Sequence, residues 1–197
     1  MAEVLHERPA AAVWTVAEAK SHLKVDHNDE DALISSYIEA ATIWAQDLTL
    51  RSLISQKWRL TSSQFPASYR TPLRLARGPI SAIDSVKYFD ISGVQQTWDA
   101  ANYQVTTWND SVSMLFPASG ESWADTEDDN ANAVEVIYTA GYGQSRDDVP
   151  EDIRVAILYR IADLYELRGQ SDTIQTSRAY DPGLTDSLLM HYRSGNA

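Results

Sequence analysis

The sequence predicts an α+β fold. An α-helical core, two N-terminal helices plus a long C-terminal helix, carries an inserted antiparallel β region and ends in a C-terminal arm. Three observations predict it. Apolar residues recur three and four apart from Leu33 to Leu48 and again from Ile153 to Leu167, the spacing of helices that bury one face. Between Lys57 and Thr139 the period falls to two, and turn-forming residues separate short β-branched and aromatic runs. Past Gly169 the chain is polar apart from one small apolar cluster, too little to build a core of its own. The expected divisions are residues 1–56 for the N-terminal helices, 57–140 for the β insertion, 141–169 for the long helix and 170–197 for the arm.

Thr15 opens the first helix in "TVAEAKSHL", where it can bond forward to Glu18 while Glu18 reaches back, a capping box. The next stretch, "VDHNDEDALI", crowds four carboxylates, an Asn and a His into ten residues, as a calcium loop would. Counted from Asp26, however, position six is Asp31 and position twelve is Tyr37. The glycine of the sharp turn and the bidentate glutamate are both missing. The cluster instead starts a second helix, running from about Asp29 to about Leu48, with Asn28 or Asp29 as N-cap and acidic residues at the positive end of the helix dipole.

Strands follow. Trp58, Leu60 and Ser62 alternate with Lys57, Arg59 and Thr61, and "PLRLARGPI" stays extended, with Pro72 and Pro79 suiting an edge or a corner. "IDSVKYFDISGVQQTW" reads as a hairpin about Ser92-Gly93, and "YQVTTW" with "VSMLF" as a second about Asn109 and Asp110. "AVEVIYTAGYG" is a β-branched strand whose Gly141 and Gly143 turn the chain, giving six or seven strands in all. Pro150 then opens the long helix, which buries Ile153, Ala156, Ile157, Ile161, Leu164 and Leu167 and stops at Gly169.

The 197 residues carry a net charge of -12 from 16 basic and 28 acidic side chains, a poor composition for gripping nucleic-acid phosphates. The absence of cysteine excludes disulfides and thiolate metal sites and suits a bacterial cytoplasm. No window resembles a signal peptide or a membrane span, so a soluble, non-secreted protein is expected. Catalytic motifs are lacking too: no G-x-S-x-G, P-loop, H-E-x-x-H or dinucleotide glycine pattern occurs, and His6, His22, His27 and His191 are scattered. No catalytic residue, metal or cofactor is expected. Asp125, Glu127, Asp128 and Asp129 form a charge run in a polar loop, where solvation is the ordinary role. Most of the six tryptophans and ten tyrosines are expected in the core, but large aromatics are also favoured as interface anchors, and Trp98, Trp108 and Trp123 fall near predicted strand or loop ends.

In three stretches the chain resembles the head-tail connector, or adaptor, proteins of long-tailed bacteriophages and phage-derived gene transfer agents. They are "TVAEAKSHLKVDHNDEDALISSYIEAATIWAQDLTLRSLISQKWRL", "PLRLARGPISAIDSVKYFD" and "VEVIYTAGYGQSRDDVPEDIRVAILYRIADLYELRG". Members often carry a glycine in the turn after the second helix, where this chain has Leu50, which leaves a left-handed cap in question. The resemblance implies a non-enzymatic ring subunit, typically one of twelve copies, at the head-tail junction of a virion or virion-like particle. It would sit beneath the portal, meet the stopper on the tail side, and let DNA pass through an acidic channel without specific binding. No membrane partner is implied.

The cluster Tyr180, Leu184, Leu188, Leu189 and Tyr192 fits helix-in-groove docking on the portal, with packing of Leu184 to Tyr192 back on its own domain as the alternative. Arg154, Arg160 and Glu166 are the expected subunit–subunit contacts, and Trp98, Trp108 and Trp123 the contacts to the neighbouring layer. Two other functions compete: a stopper or tail-completion protein of the same particle, and a cation-binding β-rich module using the Asp125 to Asn130 loop.

Overall fold

The computed structural model describes residues 1–167 and 182–193. The strands are β1 (Ala2–Glu7), β2 (Gln56–Ser62), β3 (Leu73–Leu75), β4 (Ile80–Phe89), β5 (Gln95–Thr97), β6 (Tyr103–Asn109), β7 (Val112–Pro117) and β8 (Val134–Ala140). The helices are α1 (Val16–Leu23), α2 (Asp31–Thr49), α3 (Glu151–Glu166) and α4 (Pro182–Leu189). A five-stranded sheet in the order β1-β2-β8-β4-β5 faces a three-stranded sheet in the order β3-β7-β6, and every named pairing is antiparallel.

Two apolar clusters hold the halves together. Ile34, Ile38, Ala41 and Ala45 of α2 meet Ile153, Ala156, Ile157 and Ile161 of α3, with Val13, Ala19, Leu53 and Leu189 closing the helical cluster. Leu60, Val86, Val134, Val136 and Tyr138 of the larger sheet meet Leu73, Leu75 and Leu115 of the smaller one. Each fully buried side chain of this size contributes about 1.5–3 kcal/mol.

The capping box forms as expected: the Thr15 side chain accepts from the Glu18 N–H, and the Glu18 carboxylate accepts from the Thr15 N–H at 3.0 Å. The start of α2 differs. Its N-cap is Glu30, whose side chain makes no capping hydrogen bond and accepts instead from the Tyr165 hydroxyl at 2.5 Å, so neither Asn28 nor Asp29 caps it. Lys20 explains part of the difference, because its Nζ donates to Asn28 Oδ1 at 2.6 Å and to Asp31 Oδ1 at 2.8 Å. At the other end Leu50 does take the left-handed conformation, φ 53°, without being glycine, and its N–H bonds the Gln46 carbonyl. A non-glycine residue there costs about 1–2 kcal/mol. The residues that follow hold the turn in place: Ser52 N–H donates to the Gly78 carbonyl at 2.8 Å and Tyr142 N–H to that of Leu53 at 3.0 Å.

A strand stands where the sequence suggested none. β1 pairs along β2, from Ala2 opposite Thr61 to Glu7 opposite Lys57. Only Glu3 of its six residues is partly buried, so no alternation of apolar and polar residues marks it. At the C-terminus, residues 182–192 lie against α2 and α3 instead of projecting. Leu189 is fully buried there, and Leu188 and Tyr192 pack on the same cluster. Tyr180 and Gly169 lie outside the described residues, as does the side chain of Leu184.

Candidate functional site

Arg51 sits at the junction of the two halves, immediately after the left-handed turn. Its residue is only 7% exposed. Nη1 donates to the Tyr142 hydroxyl at 3.0 Å and pairs with Asp110, at the β6–β7 turn, at 3.1 Å. The guanidinium also lies over the Tyr192 ring, 5.2 Å from its centroid. One cation thus ties the β hairpin, the chain leading into α3 and the C-terminal segment. Asp152 completes the cluster by accepting from the Tyr192 hydroxyl at 3.0 Å and pairing with His191 Nε2 at 3.1 Å. Burial, then the hydrogen bond to Asp152, pushes the Tyr192 hydroxyl up to about 12. Burial likewise raises Tyr142, against the opposing pull of Arg51. Both phenols therefore stay neutral at ordinary pH, Tyr142 accepting from Arg51 and Tyr192 donating to Asp152.

The three tryptophans expected at a neighbouring layer have different fates. Trp98 is only 7% exposed and belongs to the sandwich core, which removes it as a surface contact. It packs on Phe65 at 5.2 Å, on Trp123 at 5.2 Å and on Tyr103 at 5.8 Å. Trp123 stacks on Phe65 at 4.9 Å and donates its Nε1–H toward the Ser68 and Thr71 carbonyls, both 3.1 Å away. These rings tether two long loops to the sheet, a structural use of aromatics at strand ends that sequence spacing does not separate from an interface. Trp108 alone is open, 70% exposed near the β6–β7 turn. Beside Trp123 lies a groove of about 560 Å³ lined by Phe65, Tyr69, Ile91, Asp125 and Asp128.

The helical positions are similarly divided. Arg154 is held within its chain by Asp147, at 3.0 Å, and by Glu151. The Arg160 guanidinium lies 5.4 Å from the centre of the Trp44 ring. Glu166 is exposed at the end of α3. In the acidic loop, Glu127 accepts from Asn130 Nδ2 at 3.1 Å. Among the described residues no group of three or more His, Asp or Glu side chains is placed to hold a metal ion, and no helix is long and apolar enough to cross a membrane. Arg51 was not singled out in the sequence; a lone arginine inside the apolar stretch "LTLRSLI" is the only trace it leaves.

Residues 14–85 match the family model of the phage gp6-like head-tail connector proteins. Solved structures match over nearly the whole length. A chain in the neck of an empty gene transfer agent (GTA) particle, solved with C6 symmetry, superposes with a TM-score of 0.80 at 23% identity, covering 100% of this chain and 97% of that one. A chain in the virion of a native GTA particle gives 0.79 at 24% identity, with 100% and 97% covered. A chain in the neck of a native GTA particle solved with C12 symmetry gives 0.73 at 24%, with 98% and 97% covered. No curated protein sequence matches the chain.

Proposed function

We propose that this chain is a head-tail adaptor subunit, a non-enzymatic building block of the neck of a tailed phage or gene-transfer-agent-like particle. The observation that carries the proposal is the coincidence of two findings. The connector family model covers α1, α2 and the start of the β region, and the fold of neck chains covers the whole length. In this account copies of the chain form a ring beneath the portal, the tail-side stopper binds the opposite face, and DNA passes through the centre. An excess of 28 acidic over 16 basic side chains supports passage without adhesion.

The portal contact belongs to the C-terminal segment. Leu188, Leu189 and Tyr192 are engaged with α2 and α3 of their own chain, so a portal groove that takes them must first release α4. Trp108 is the tryptophan left for a neighbouring protein, and Glu166 the charge of the helical set that faces solvent.

Deleting the gene tests this directly. The account predicts filled heads that carry portal and lack tails, restored by the chain supplied in trans. Tailed, infectious or transfer-competent particles without the chain would overturn it, and empty heads with tails attached would assign it to another step.

A further inference from the structure

Among the described residues the two sheets have four edge strands, β1 and β5 in the larger and β3 and β6 in the smaller, and the two long ones, β1 and β6, lie on opposite flanks of the sandwich. β1 pairs β2 on one side, β6 pairs β7 on one side, and among the described residues neither has a strand on the other. Their placement follows from contacts between the sheets. The Tyr138 hydroxyl meets both the Glu3 carboxylate of β1 and the carbonyl of Ala76, the residue after β3, so β3 lies on the β1 side. Trp98, the residue after β5, packs 5.8 Å from Tyr103 at the start of β6, which puts β6 on the β5 side.

β6 lacks the usual protection of an edge. Its sequence "YQVTTWN" contains no charge and no proline, and residues 104–108 are all exposed. Val105 stands opposite the fully buried Leu115, on the core-facing side of its sheet, yet is 39% exposed. The one irregularity falls between Thr107 and Asn109 and leaves the preceding residues in regular register. Uncharged, β-prone edges of this kind invite another strand, and proteins that stay monomeric blunt them with lysine, proline or bulges. β1 is open too, with Val4 and Leu5 exposed, although it carries Glu3 and Glu7 and its register shifts between Leu5 and Glu7.

We propose that β6 of one copy pairs with β1 of the next, so that the three-stranded sheet of one subunit continues into the five-stranded sheet of its neighbour. The inference rests on the ring reading above. Two unlike edges on opposite flanks make a heterologous contact, the kind that closes rings, whereas like edges pair only into dimers. The strands have compatible lengths, six residues in β1 and seven in β6. Charge selects the same partner: Glu3, His6 and Glu7 of β1 meet no charge on β6, while a β1-to-β1 pairing would bring two acidic strands together.

The chain has no cysteine, so introduced ones report cleanly. Single cysteines scanned over residues 4–6 and over residues 104–107 would be combined in one chain, assembled with the portal, oxidised and run on a denaturing gel. The result expected is a ladder of linked multimers from at least one double variant, linked dimers from a mixture of the matching single variants, and nothing from either single variant alone. Rings by native mass with no ladder from any combination overturn the proposal, as do dimers from a β1 or β6 single variant alone. Val105→Lys with Thr107→Lys charges the edge without entering the core. It is expected to convert rings to monomers at an unchanged melting temperature, and persistent rings would overturn the pairing. A wild-type chain that stays monomeric with and without portal removes the ring reading itself, and this inference with it.

Discussion

Truncating one leucine near the C-terminus measures whether α4 is a fixed part of the fold or a free arm. Leu189 is fully buried in the helical cluster, so Leu189→Ala removes apolar contact and leaves a void between α4 and the helices beneath it. Such substitutions cost about 2–5 kcal/mol. Because α4 lies at the margin of the cluster and can settle inward, the low end applies, about 2–3 kcal/mol. With about 2–4 °C lost per kcal/mol in a protein of this size, the melting temperature should fall by about 4–12 °C. Urea unfolding followed by circular dichroism reads the stability, and hydrogen exchange in residues 182–192 reads whether the loss is local. Leu188→Ala, at a half-buried position, should cost less. A change under about 0.5 kcal/mol for Leu189→Ala, the size of an ordinary surface substitution, would refute the docking and return the segment to a free portal-binding arm.

Four further outcomes follow from the same structure. Lys24 is exposed and holds a left-handed cap at φ 59°, so Lys24→Gly should raise stability by about 0.5–1 kcal/mol in urea unfolding; a loss would contradict the cap argument. Gly141 has φ +142°, and a Cβ there would lie 2.6 Å from the Ser55 nitrogen, so Gly141→Ala should cost more than about 2 kcal/mol by the same assay. Hydrogen bonds from the Thr15 backbone and side chain, aided by Arg146, hold Glu18 below its ordinary value. Its contribution is therefore present above the unfolded carboxyl range, about pH 4.3, and is lost as pH falls through the lower folded value. Glu18→Gln should remove that part of the acid-side slope in melting temperature, and an unchanged slope would argue against it. Trp108→Ser should alter stability by less than about 0.5 kcal/mol, since the ring is 70% exposed, while weakening assembly with the neighbouring copy or layer seen by native mass.

What the sequence disclosed depended on periodicity. α2 and α3 were legible because one face of each is buried continuously, and β2 and β8 because buried and half-buried residues alternate along them. Both hairpins were legible from their turn residues. β1 was not, because the one residue it turns inward is the half-buried Glu3 and the rest are exposed, which leaves no apolar alternation to show. Leu50 misled for a different reason: local preference favours glycine in a left-handed cap, and tertiary bonds from Ser52 and Tyr142 prevail over it. The candidate site fared worse. Trp98 and Trp108 look alike in sequence, each near the end of an extended run, and only the packing of Phe65, Tyr103 and Trp123 around one of them separates core from surface. Arg51 joins groups 59, 91 and 141 residues further along the chain, a convergence no local pattern encodes.

Binding to the portal tests the central claim most directly. The purified full-length chain would be incubated with the portal encoded in the same gene cluster and followed by native mass. Truncation after Gly169 also uncovers the site of Leu189, so it would be paired with Met190→Glu, which alters only the outer face of the C-terminal segment, Met190 being 55% exposed. The account predicts a portal-bound ring of the full-length chain, lost on truncation and weakened by Met190→Glu. Equal binding by all three would keep the adaptor function and move the contact to the globular part. No binding by the full-length chain would contradict the adaptor account.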